Sequence, residues 1–160
     1  MPRLIFGRAL FALAFGIAIS SWFFAALAVQ ATPAVAGEQL HKIAVHVDDN
    51  DPQRINMALN NVQNLKSFYD SAGQKVEIEV VAYGPGLHML RADTSPVKDR
   101  ISAMSLEIEG LTFSACANTL KGMSKKEGKE VELLSESRMV PSGVVRLVEL
   151  QEDGYAYVRP

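Results

Sequence analysis

From His41 to the end of the chain, strand-like and helix-like patterns alternate, and this limits the fold more than any other feature. Stretches of period two, rich in β-branched residues, are separated by stretches with apolar residues every three or four positions. A chain patterned this way builds a mainly parallel sheet with helices on both faces, joined by right-handed crossovers.

The elements follow in order. His41 to Val47 carries Ile43, Val45 and Val47 and reads as a first, central strand. Asp51 suits a helix N-cap, and Pro52 the first helical position, where a missing N–H costs nothing. Ile55, Leu59, Val62, Leu65 and Tyr69 then recur at helical spacing until Gly73, with Asn60, Asn61, Gln63 and Lys66 turned outward. In the strand from Lys75 to Tyr83, Val76, Ile78 and Val80 face one way, and Glu77 and Glu79 give the other face a partly wet character. Gly84-Pro85-Gly86 turns the chain into a short helical turn or loop over Leu87 to Leu90.

Ser95 and Pro96 read as cap and first residue of a second helix, with Val97, Ile101, Met104 and Ile108 inward and Gly110 as its end. Leu111 to Cys116 reads as a short buried strand and Ala117 onward as a helix with Leu120 and Met123 inward. Lys121, Lys125, Lys126 and Lys129 suit the far end of that helix. The stretch from Val131 ends in a strand near Val140. Pro141-Ser142-Gly143 then opens a helix with Val144, Leu147, Val148 and Leu150 on one side, and Tyr155 to Val158 closes the chain as a strand. The expectation is five strands and four helices in one domain, with no internal repeat and no low-complexity tract.

Residues 1–36 stand apart. They contain no acidic residue, begin with Arg3 and Arg8, and continue in an apolar run from Ala9 to Val29. Pro33 and the small residues Ala34-Val35-Ala36 follow, the layout of a secretory signal with its cleavage site. The run is also long enough to span a bilayer, at roughly 20 residues. The expectation is a signal peptide or N-terminal anchor over 1–36 and a domain over 37–160, periplasmic or secreted, touching a membrane only if the leader is retained. Without the two leader arginines, 14 basic side chains face 18 acidic ones, a net charge of −4 with neutral histidines. A mildly acidic domain without a basic stripe argues against nucleic acid as partner.

The single cysteine, Cys116, falls at the corner between the third strand and its helix. In parallel α/β sheets, sites are built at such corners, and the N–H groups of a helix start favour thiolate over thiol. One cysteine cannot form an internal disulfide. It is an inert buried residue, half of an intermolecular bridge or a functional thiol. Asn118 and Thr119 are polar neighbours able to cap the helix or hydrogen-bond a thiolate or ligand.

The stretches Phe113-Ser114-Ala115-Cys116-Ala117-Asn118-Thr119-Leu120-Lys121-Gly122, Tyr83-Gly84-Pro85-Gly86 and Val140 to Pro160 resemble the DsrE/DsrF-like family, over roughly His41 to Pro160. The resemblance implies a flavodoxin-like three-layer α/β sandwich assembled as homotrimers or homohexamers. It also implies a sulfur relay in which one cysteine carries sulfur as a persulfide; by position that cysteine is Cys116. An exported, sulfurtransferase-like carrier is the first functional expectation, with sulfur donor and acceptor unnamed and no metal or organic cofactor. The alternative is a non-catalytic small-ligand-binding or interaction module of the same fold with a structural cysteine.

His88, in the loop after the second strand, is the candidate acid/base or ion-pair partner for the thiolate; otherwise it is a surface histidine. His46 reads as a satisfied sheet residue and His41 as an exposed one. Asp48, Asp49 and Asp51 fit a turn and an N-cap, and as a third reading a divalent-cation site.

Overall fold

The computed structural model describes residues 39–160; the leader falls outside them. Five strands, β1 (Leu40–Val47), β2 (Lys75–Ala82), β3 (Leu111–Cys116), β4 (Ser137–Val140) and β5 (Ala156–Val158), form one sheet in the order β4-β3-β2-β1-β5. Every pairing is parallel. Four helices connect them: α1 (Pro52–Ser71), α2 (Lys98–Glu107), α3 (Ala117–Glu127) and α4 (Gly143–Glu152). A 3-10 helix, Gly84–Leu90, follows β2. The fold is a single α/β domain of flavodoxin-like type, as expected. Among the described residues no helix is long and apolar enough to cross a membrane.

Strand order decides how the faces are covered. From β1 the chain steps outward through β2, β3 and β4, then returns past its start to place β5 beside β1. Right-handed crossovers in one direction lay their helices on one face, and the reversal moves α4 to the other. The main core lies on the first face. Ile43, Val45 and Val47 of β1, Val76, Ile78 and Val80 of β2 and Phe113 of β3 pack there against Ile55, Leu59 and Val62 of α1 and Ile101 and Met104 of α2. Leu120 and Met123 of α3 join its margin. The second face has a smaller core of Ala44, Val81, Leu147 and Leu150, flanked by Tyr83 and Tyr155.

Four expectations need correction. The middle strand is β2, with β1 one place off centre. Glu79 is buried rather than wet, because α4 lies over its face. Val144 and Val148 of α4 are about half exposed; the helix buries Leu147 and Leu150 instead. Finally, Ser95 does not cap α2, which starts at Lys98 with Val97 as N-cap. The Ser95 hydroxyl donates to the Met89 carbonyl and accepts from Val97 N–H, so Ser95-Pro96 shapes the turn before the helix. At α1 the cap is as read: Asp51 Oδ1 accepts the Gln53 N–H at 2.8 Å, and Pro52 opens the helix.

Candidate functional site

Cys116 ends β3 and is itself the N-cap of α3. Strand alternation sends its side chain to the same face as Ser114, the face that α4 covers, and it pairs with Val140 of β4. Its Sγ accepts the Thr119 N–H at 3.4 Å. Burial pushes the thiol up. The Thr119 hydroxyl and the backbone N–H groups of Gly143, Thr119 and Asn118 outweigh it and hold the thiol below its ordinary value. The starts of two helices, α3 and α4, therefore both favour the thiolate. The side chain is 4% exposed, a covered sulfur rather than a surface one.

Gly143 is there for a reason of space. A Cβ on it would lie 2.7 Å from Cδ1 of the Tyr83 ring and 2.8 Å from the Tyr83 Cβ. Glycine lets the first residue of α4 sit against Tyr83 with its N–H available to the sulfur. Gly143→Ala costs about 1–3 kcal/mol by overpacking. By displacing the N–H it also raises the thiol pKa, so the midpoint of the pH–rate profile for iodoacetamide alkylation of Cys116 moves upward. Adding Tyr83→Ala makes room and moves it back. A midpoint that stays put in Gly143→Ala removes α4 from the account.

His88 stands near the end of the 3-10 helix, partly buried. With Gly84 and Pro85 it lines a groove of about 450 Å³, whose other side includes Thr119, Gly122 and Lys126 of α3. Cys116 does not line this groove; Thr119 connects the two. The Thr119 Oγ1 accepts the Gly84 N–H at 3.0 Å while its own N–H reaches the sulfur. Asn118 is exposed, and its backbone N–H is the group that acts on Cys116.

The remaining candidates have other partners. Asp48 pairs with Arg159 at 2.8 Å, Asp49 accepts the Asp51 N–H at 2.9 Å, and Asp51 caps α1. Among the described residues no cluster of three or more His, Cys, Asp or Glu could hold a metal ion. His41 is partly buried, stacked on Tyr69 and bonded to Gln74. The His46 ring stacks on Tyr83 at 4.6 Å, and its Nδ1 lies 2.7 Å from the Tyr157 hydroxyl. His46 Nε2 is buried without a hydrogen-bond partner among the described residues, with the Asp48 carboxylate 3.8 Å away. Burial holds its pKa below the usual histidine value, against the pull of Asp48.

Sequence reasoning missed a buried ionic cluster on the same face. Glu79 is 4% exposed and accepts from Ser114 Oγ at 2.6 Å, from Arg146 at 2.8 Å through Nε and Nη2, and from Arg138 at 3.1 Å. The arginines lie 59 and 67 residues away in sequence, so no local pattern marks them as its partners.

The profile of the family described as "DsrE/DsrF-like family" matches residues 41–160. Among solved structures the chain is similar to a protein of unknown function, MTH1491 from Methanobacterium thermoautotrophicum. The two share 35% sequence identity with a TM-score of 0.65, over 75% of this chain and 99% of that one. No curated protein matches the chain.

Proposed function

The chain belongs to the DsrE/DsrF-like family, and from that premise we propose that it is an exported sulfur carrier using Cys116 as its persulfide site. The observation that carries this reading is the convergence of N–H groups from α3 and α4 on one sulfur, which favours the attacking thiolate over the thiol. In the reaction, the Cys116 thiolate attacks the outer sulfur of a donor. The donor's sulfur–sulfur bond breaks as the new one forms, and the donor leaves as a thiolate or as sulfite. Attack by an acceptor thiolate on the outer sulfur of Cys116–S–SH reverses the step and frees the cysteine. No oxidant or reductant is consumed. The apolar leader supports export to the periplasm or beyond.

The test is intact mass after incubation with thiosulfate or polysulfide. The purified chain gains one sulfur atom, lost again on reduction, and Cys116→Ser gains none. A chain that gains no sulfur from either donor is not a carrier. Because Cys116 is only 4% exposed, a binding module with a structural cysteine is the second reading. It is the one that holds if alkylating reagents reach the thiol only after unfolding.

Self-association as a trimer or hexamer is part of the proposal. Met139, Val144, Val145 and Val148 are each about half exposed. Met139 and Val145, with Val140 and Pro141, line an open groove of about 340 Å³ beside α4. An apolar patch of this kind suits burial against another copy. Val145→Asp shifts the sedimentation velocity to that of a single chain. A Val145→Asp chain that sediments with the wild type places the contact elsewhere.

A further inference from the structure

The groove next to Thr119 has features that the sulfur-relay reading does not use. One wall is a single face of α3, on which Thr119, Gly122, Met123 and Lys126 recur at helical spacing. The 3-10 helix provides the other wall through Gly84, Pro85 and His88. The charge is of one sign: Lys126, and His88 when protonated, with no carboxylate in the lining.

Gly122 is the most telling residue. It lies inside α3, where glycine is the least favourable residue after proline. It is not among the glycines with positive φ, so the backbone does not require it. A Cβ there would meet no atom of the described residues within 4 Å, so their packing does not require it either. A side chain at this position would project into unfilled space, and in a residue that lines the groove that space is room for a ligand. The volume, about 450 Å³, suits an organic molecule rather than a bare ion.

We propose that this groove binds a small organic anion, a carboxylate-bearing low-molecular-weight thiol persulfide, and directs its sulfur–sulfur bond past Thr119 to Cys116. This rests on the reading of Cys116 as sulfur acceptor. The Cys116 thiolate attacks the outer sulfur of R–S–SH, the Cys116–S–SH bond forms as the donor's bond breaks, and R–S⁻ leaves with the electron pair. Lys126 attracts the carboxylate, His88 donates a hydrogen bond to it, and Gly122 leaves room for the carbon skeleton.

Two disulfide reagents test the groove without any sulfur loading. One is the dianionic 5,5′-dithiobis(2-nitrobenzoate), the other the neutral 2,2′-dithiodipyridine. Cys116 is the only thiol, so the rate of released chromophore reports on it alone. In each case Cys116–S⁻ plus R–S–S–R gives Cys116–S–S–R and R–S⁻. Lys126→Glu lowers the ratio of anionic to neutral rates by about tenfold at low salt, and the difference shrinks as salt is added. Lys125→Glu is the same charge change on an exposed neighbour outside the groove lining, and it moves the ratio far less. Gly122→Phe fills the groove and slows both reagents at unchanged circular dichroism.

The proposal falls if the ratio is unchanged in Lys126→Glu or drops equally in Lys125→Glu. It also falls if Gly122→Phe reacts as wild type, or if neither reagent modifies the folded chain. The relay reading fails separately: a chain that takes up no sulfur from thiosulfate or polysulfide, yet shows the Lys126 and Gly122 effects, keeps the groove and loses the carrier.

Discussion

Replacing Glu79 with alanine lowers the unfolding free energy by about 3 kcal/mol and the melting temperature by roughly 10 °C. The carboxylate is nearly inaccessible and holds two guanidinium groups and a buried hydroxyl. Without it, Ser114 loses its partner in a fully buried position, and Arg146 keeps only its longer contact to Glu149. The pH dependence follows from the same geometry. Burial pushes the Glu79 carboxyl up, but hydrogen bonds from Arg146 and Ser114 and the charges of both arginines pull it below its ordinary value of 4.5. A carboxyl depressed on folding adds stability that is fully present above its unfolded pKa and is lost as pH falls through the folded one. The wild-type chain therefore loses stability below about pH 4.5, and a Glu79→Gln chain loses less over that window. Urea unfolding from pH 3 to 7 checks both statements. A Glu79→Ala chain that melts with the wild type would mean that the two arginines find water at no cost.

Gly86→Ala destabilises the domain by about 3 kcal/mol or more. Gly86 lies in the 3-10 helix directly beneath the end of β1. A Cβ there would sit 2.2 Å from the Val47 carbonyl oxygen and 2.8 Å from the Asp48 Cα. Both are backbone atoms inside or next to a paired strand, so neither can swing aside as a side-chain tip would. The 3-10 helix must move, and with it Leu87, Met89 and Leu90, all fully buried. Gly122→Ala is the internal control with the opposite sign. It adds a methyl group in open space to a helix interior and stabilises by up to about 1 kcal/mol. Denaturant titration of both variants reads the difference. Equal midpoints would show that the helix beneath β1 shifts freely and that its packing contributes little.

Much of the fold was legible in the sequence because its signals are local. Asp51 and Pro52 mark the start of α1 through cap chemistry that involves only neighbours. The alternation of Val76, Ile78 and Val80 identifies the face of β2 that meets the main core. The position of Cys116 was legible for the same reason, since a short apolar strand running into a helix fixes the corner between them. Ser95-Pro96 misled because a serine followed by proline suits a turn as well as a helix start, and here the hydroxyl bonds back to Met89. Val144 and Val148 misled because a helical stripe shows that a face is apolar, not what lies against it.

By itself the sequence determined the elements, their order and the strand-to-helix corner that carries the lone cysteine, since caps and periodicities act within a turn or two of chain. Only the tertiary structure decided the order β4-β3-β2-β1-β5, which among the described residues leaves α4 alone on one face. That order brings Arg138 and Arg146 to Glu79 and the Gly143 N–H to the sulfur, and sets Tyr157 against His46 from 111 residues away. The physical reason is that the side-chain pattern of one segment does not specify which distant segment covers it. Crossover direction and long-range packing choose that partner, and in this protein they also choose the groups that tune Cys116.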